Sequence, residues 1–283
     1  MAWQAPWQAL RPALRPAAAL LATRSLVAGF STSTTALNNT VQTTCTRWVV
    51  RPASPSASRE CPTPLVLVRT PGLSYPAANP CTQETWKVWA DMFALRGYTT
   101  VEVDVSVTTG HQGLVDEAVT TGHEGLAEKE AKDIGGPVKQ AADALDGQLR
   151  RLGIPFAPVI VASGPACLVA QAYVSDYRAS GLVLIEPPPD QDPRVQVATS
   201  GAKAAGGEAS KAFAWPRFRF EPHFPILVMS PPQAEGDVRA SRLGQEALEE
   251  PGGRGVSVMV EKDGPRGEET RMDVERWLDW SGY

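Results

Sequence analysis

Short, continuously apolar runs punctuate the chain at Pro64–Val68 (PLVLV), Pro158–Val161, Gly181–Glu186 (GLVLIE), Pro225–Met229 (PILVM) and Val256–Val260 (VSVMV). Runs of this length bounded by Gly and Pro are the pattern of strands buried on both faces. Tyr98–Val105 (YTTVEVDV) alternates and is β-branched, which predicts a further strand. Arg47–Val50 (RWVV) is a candidate edge strand. Between these runs the apolar period lengthens to three and four residues. Trp86, Trp89, Phe93 and Ala94 line one helix, with Thr82 as its candidate cap and Gly97 as its end. Val138, Ala141, Ala142, Leu145, Leu149 and Leu152 line a second. A third is expected from Pro165 to Arg178 and a last from Glu268 to Trp280, with Trp277 and Trp280 turned to the core.

Strands alternating with amphipathic helices predict an α/β fold, a doubly wound and mostly parallel sheet covered on both faces from about Pro64 to Tyr283. Residues 64–283 are expected as one domain, 34–63 as a Thr-, Pro- and Ser-rich linker, and 187–207 as a loop with a Gly/Ala/Ser-rich centre.

Charge changes the picture at the N-terminus. From Met1 to Arg59 the 283-residue chain has no Asp, Glu or Lys, only Arg11, Arg15, Arg24, Arg47, Arg51 and Arg59. An arginine-rich, acid-poor start is the profile of an organelle transit peptide. The expectation is a mitochondrial leader over residues 1–33 and a matrix location. Without residues 1–59 the chain carries 21 basic and 31 acidic residues, a net charge of -10. Such a surface repels phosphate backbones, so no nucleic-acid partner is expected. No apolar run reaches the length of a membrane span, so the protein is expected to be soluble. Cys45, Cys61, Cys81 and Cys167 form no CxxC pair and have no histidine at ligand spacing. No metal and no cofactor is expected, and the cysteines read as free thiols.

One internal repeat stands out. TTGHQGLVDEAV at 108–119 is followed at once by TTGHEGLAEKEA at 120–131. His111 and His123 in it recur at a spacing of twelve, which puts no pair on one helix face, and two copies are too few for a solenoid. A duplication that lengthens a loop or short helix fits better than a metal or proton-transfer site.

The order and spacing of these segments resemble the α/β-hydrolase family. PLVLVRTPG resembles the strand leading to its oxyanion loop, where Arg69 and Thr70 replace HG and Thr70 and Gly72 are the possible oxyanion loop. WKVWADMFALRGYTTVEVDV resembles its next helix and strand, ending in Asp104. VIVASGPACLVAQAYVSDYRASGLVLIEPPP resembles strand, nucleophile elbow, helix and strand, and FPILVMSPP and VSVMVEKDGPRGEE its last two strands. The resemblance implies a sheet of the α/β-hydrolase type with little or no cap domain. It also implies a G-x-S-x-G elbow, whose nucleophile sits in a strained turn between small residues. Aligning VIV with the family's apolar triplet puts Ala162 and Ala166 at the glycines, Ser163 at the variable position and Gly164 at the nucleophile. Gly164 suits the strained dihedral and Pro165 suits a helix start. A shift of one residue makes Ser163 the nucleophile, with Val161 and Pro165 where glycines belong.

The other members of the triad are equally altered. Pro265 stands where the family's histidine follows the last strand. His223 precedes a strand on the wrong side of the expected acid, for which Glu235 or Asp237 is in place. A hydroxyl at neutral pH needs a base to become a nucleophile. The expectation is a hydrolase-like pseudoenzyme that serves as a binding or accessory subunit for a protein partner or a small acyl ligand. The alternative is an active esterase or thioesterase using Ser163 with His223 or His111 as an unusual base and Asp237 as acid. An oxidoreductase fits less well, since no GxGxxG follows the first strand. Ala212–Phe224 interleaves Trp215, Phe218 and other aromatic residues with Arg217 and Arg219, a possible binding surface or an aromatic plug over the pocket mouth.

Overall fold

The computed structural model describes residues 42–71, 73, 86–108, 136–190, 216–218, 220–221, 223–249 and 255–283. The leader, both histidines of the repeat, the Gly/Ala/Ser-rich centre of the 187–207 loop, and Gly72, Cys81, Thr82, Trp215 and Arg219 lie outside the described residues.

Seven strands among the described residues form one sheet: β1 (Gln42–Arg51), β2 (Cys61–Arg69), β3 (Tyr98–Thr108), β4 (Val159–Ser163), β5 (Gly181–Ile185), β6 (Ile226–Ser230) and β7 (Val256–Val260). Their spatial order is β1-β3-β2-β4-β5-β6-β7. All neighbouring pairs are parallel except β1, which runs antiparallel to β3 along one edge. The sheet therefore begins at Gln42, within the stretch expected to be linker, and RWVV is the second half of a longer strand.

The continuous apolar runs follow from helices on both faces. Ile160, Ala162, Leu182, Leu184, Ile226 and Val228 face α2 (Gly136–Arg151) and α3 (Ala166–Asp176). Leu65, Leu67, Val161, Val183, Ile185, Leu227 and Met229 face α1 (Lys87–Leu95) and α6 (Glu268–Ser281). With side chains alternating across the sheet, every position of a central strand is buried, so no polar face is left to show a period of two. Strand β3, one place from the edge, keeps its alternation. Val101, Val103 and Val105 join the α2–α3 side, while Thr100 Oγ1 donates to Ala90 O and Glu102 pairs with Arg51.

Gly97 ends α1 at φ +98°, and a Cβ there would collide with the carbonyl of Arg59, so only glycine fits. Between β6 and β7 lie a short 3-10 turn (Pro232–Ala234) and two helices, α4 (Glu235–Ala240) and α5 (Arg242–Glu249). Trp280 departs from expectation. Trp277 is buried against the sheet, but Trp280 is 61% exposed, because the stripe of Thr270, Val274, Trp277 and Leu278 leaves it on the flank of the last turn.

Candidate functional site at the carboxyl ends of the strands

Strand β4 ends at Ser163, and the chain turns through Gly164 at φ +58° into α3. Pro165 already has helical dihedrals, and Cys167 N and Leu168 N donate to the carbonyls of Gly164 and Pro165. The sharp turn needs a left-handed residue, which glycine supplies without the cost a Cβ would add. The left-handed residue between strand and helix is thus Gly164, with Ser163 the last residue of β4.

The chemistry around this turn can be followed atom by atom. An elbow of this type stabilises an oxyanion partly through the backbone N–H of the residue after the nucleophile. If Gly164 is the elbow residue, that next residue is Pro165, which has no N–H. If Ser163 is taken instead, the next N–H is that of Gly164, and it already donates to Ile185 O at 2.8 Å. The absent donor was legible in the sequence as a proline directly after the elbow glycine.

Ser163 is 3% exposed and its Oγ has no hydrogen-bond partner among the described residues. His223 is far more open, with its side chain 81% exposed and its Nε2 3.5 Å from Glu221 Oε2. A base must reach the proton it removes. The structure does not bring these two together, nor does it bring Asp237 to them, since Asp237 is exposed in the first turn of α4.

The loop after β7, where the family's histidine would stand, has another role. Asp263 Oδ2 accepts from Glu269 N at 2.7 Å and Oδ1 from Thr270 N at 3.0 Å. Those are orphan donors at the start of α6, so Asp263 caps the last helix. Gly264 takes φ +90° and Pro265 is buried.

At the carboxyl end of β2, Arg69 forms a two-point ion pair with Asp104 of β3, Nε to Oδ1 at 2.8 Å and Nη2 to Oδ2 at 2.6 Å. The register places the two residues side by side. Such fork-to-fork pairs fix geometry as well as charge. Thr70 is buried and its carbonyl accepts from Leu73 N. In the aromatic segment Arg217 is exposed, while Phe218, Phe220 and Phe224 pack onto the α2–α3 side of the core. The Arg242 guanidinium sits 4.6 Å from the Phe220 ring centroid and donates to Phe220 O.

One and three strands from β4, the carboxyl ends of β5 and β7 carry groups that sequence reading passed over. Glu186 after β5 is at φ +50°, and Glu261 after β7 is 2% exposed. Burial, and then the Glu186 carboxyl facing it, push Glu261 up to about 8. Cys167 at the start of α3 is fully buried, its thiol donating to Ile185 O, and burial pushes it far above the thiol range, so it is no nucleophile. Among the described residues no group of His, Cys, Asp and Glu has the arrangement to hold a metal ion.

No family model matches the chain, and no curated protein matches it. Among solved structures it is similar to a thermophilic esterase from Thermogutta terrifontis at 15% identity, covering 88% of this chain and 97% of that one, with a TM-score of 0.47. It is also similar to a Bacillus cereus carboxylesterase at 14% identity, covering 83% and 94%, with a TM-score of 0.45. A third is a serine hydrolase without lid from Xanthomonas campestris, at 12% identity, covering 88% and 98%, with a TM-score of 0.45. Likenesses this distant decide nothing about activity, and the architecture rests on the strand order and the two helix layers.

Proposed function

We propose that this chain is an α/β-hydrolase-fold protein that has lost serine hydrolysis and works by binding, as an accessory subunit or small-ligand carrier in mitochondria. The observation that carries the loss is the turn itself. The left-handed position is a glycine without an oxygen, the following residue is a proline without an N–H, and the neighbouring Ser163 hydroxyl is buried with no hydrogen-bond partner among the described residues. A nucleophile at the left-handed position and the oxyanion donor after it are then both lacking, and no base stands beside Ser163 among the described residues, so no acyl-transfer step can be written with the described groups at this turn.

The test is direct. The purified protein is incubated with a fluorophosphonate probe and short acyl esters. The expected result is neither labelling nor turnover above a heat-denatured control. Labelling of Ser163 that disappears in Ser163→Ala would instead establish an active esterase. The mitochondrial address rests on the acid-free, arginine-bearing start of the chain. Isolated mitochondria are expected to import the full chain and shorten it in a potential-dependent reaction. A chain left outside and accessible to protease would overturn the address. Affinity purification from mitochondria is expected to recover a stoichiometric partner or a retained small ligand.

A further inference from the structure

At the opposite end of the sheet from the elbow, the ladder between β2 and β3 is opened. Cys61 pairs with Tyr98 and the next pairing is Leu65 with Thr100, so Pro62, Thr63 and Pro64 stand against Thr99 alone. Two of these three have no N–H to give a neighbouring strand, and extra residues of this kind bend a strand out of its ladder. On the α2 side of this opening lies a cleft of about 560 Å³, within the size range of small-molecule sites. Val50 of β1 and Val101 of β3, directly paired, line it from the sheet. Ile154 and Phe156 line it from the connection between α2 and β4, which begins where Gly153 turns the chain at φ +63°.

The cleft is largely apolar and open to water. Val50 is 43% exposed and Phe156 54%, two of the few large apolar side chains that the described residues leave in solvent. Apolar surface gathered around a concavity marks a place where something binds. The polar groups in the lining are few. The Thr99 hydroxyl and the Glu60 carboxylate have no hydrogen-bond or ion-pair partner among the described residues. No Lys or Arg lines the cleft. Arg59, next to Glu60, reaches to Asp279 of α6 instead. Arg150 and Arg178 lie in a neighbouring groove beyond Ile154 and Phe156, where Arg150 is paired with Asp146 at 2.6 Å. The one charge in the lining is therefore negative, which repels a carboxylate or phosphate and attracts a cation.

We propose that this cleft binds a hydrophobic amine, with its apolar body against Val101, Ile154 and Phe156 and its ammonium at Glu60. The ammonium supplies the charge-assisted donor that the Glu60 carboxylate lacks, and the body covers side chains that otherwise stand in water. A fatty acid or acyl phosphate would supply the same body with the wrong charge. This deepens the small-ligand reading given above but fails separately from it, because the loss of hydrolysis is read at Ser163, at the other end of the sheet.

The full chain, isotope-labelled, is titrated with phenylbutylammonium chloride, phenylbutanol and sodium phenylbutyrate, which share a body and differ in charge, and backbone NMR shifts are followed. Saturable shifts at Gly153, Ile154 and Phe156 are expected with the amine. The alcohol should bind about threefold more weakly and the carboxylate at least about tenfold more weakly. Glu60 and Phe156 are both exposed, so their variants should keep the fold, as checked by circular dichroism. Glu60→Gln should bring the amine down to the affinity of the alcohol and leave the alcohol unchanged. Phe156→Ala should weaken amine and alcohol alike by at least about threefold, whereas Asp146→Asn, in the neighbouring groove, should change neither. No saturation by about 10 mM amine would overturn the proposal. So would an alcohol or carboxylate that binds as tightly as the amine, an amine preference that survives in Glu60→Gln, full affinity in Phe156→Ala, or shifts confined to Asp146 and Arg178.

Discussion

Two turns at the carboxyl ends of neighbouring strands adopt left-handed backbone with opposite residues. After β4 it is Gly164, at φ +58°; after β5 it is Glu186, at φ +50°. At the first turn the chain uses the residue that tolerates the geometry most easily and brings no side chain to it. At the second it accepts a conformation that disfavours side chains and uses it to hold a carboxyl against another carboxyl. The first therefore reads as a turn set by backbone demand alone. The second reads as a place where function has a claim on the backbone.

The largest effect that separates them is the pH dependence of stability. Glu261 is raised from 4.5 to about 8 in the folded chain, so the folded state keeps a proton that the unfolded state gives up. The stabilisation is complete below about pH 4.5 and is lost as the pH rises through about 8. The loss over that window should be on the order of a few kcal/mol. Glu261→Gln should flatten this part of the curve, measured as urea midpoints at several pH values. An unchanged slope would mean that Glu261 keeps no extra proton in the folded chain. The elbow has no such group, so Ser163→Ala should leave the slope as it is.

Next in size is an exchange of the two left-handed residues. Gly164→Val places a branched side chain at positive φ and should cost about 1–3 kcal/mol. Glu186→Gly removes both the strain and one carboxyl of the pair, and should stabilise by about 1 kcal/mol near pH 8. If both substitutions destabilise alike, Glu186 is structural and the contrast between the turns collapses.

How much of this was legible in the sequence follows the same division. The central strands announced themselves because burial on both faces makes them apolar at every position, and the elbow register followed from Gly164 and Pro165, whose backbone demands are written in the residue type. Helices α4 and α5 were missed. They are short, and Gly236 and Gly244 interrupt them. The usable signal was Ser241, whose Oγ accepts from Gly244 N as a helix cap. The glutamate pair was beyond reach for a different reason. Glu186 and Glu261 lie far apart in the chain, each follows an ordinary strand, and only the β5-β6-β7 order brings them together. Local conformation is encoded locally, whereas the approach of two groups distant in the chain depends on topology.

A smaller effect tests the loop after β7. If Asp263 is there to cap α6 and has no part in proton transfer, Asp263→Ala should cost about 1 kcal/mol, and Asp263→Ser or Asp263→Asn should recover most of it. Full loss in the Ser and Asn variants would point to a need for the charge itself.

The smallest effect is the one most informative about the elbow. A hydroxyl that served chemistry would have a base beside it and solvent within reach, whereas Ser163 Oγ is buried and has no hydrogen-bond partner among the described residues. An unsatisfied buried hydroxyl costs on the order of 1 kcal/mol, and alanine removes it while leaving a gap of only one oxygen. Ser163→Ala should therefore leave stability unchanged or raise it by up to about 1 kcal/mol, a Tm shift of no more than about 4 °C upward for a domain of this size. Loss of more than about 1 kcal/mol would mean that the hydroxyl has a partner in the folded protein, and that would return Ser163 to the catalytic reading.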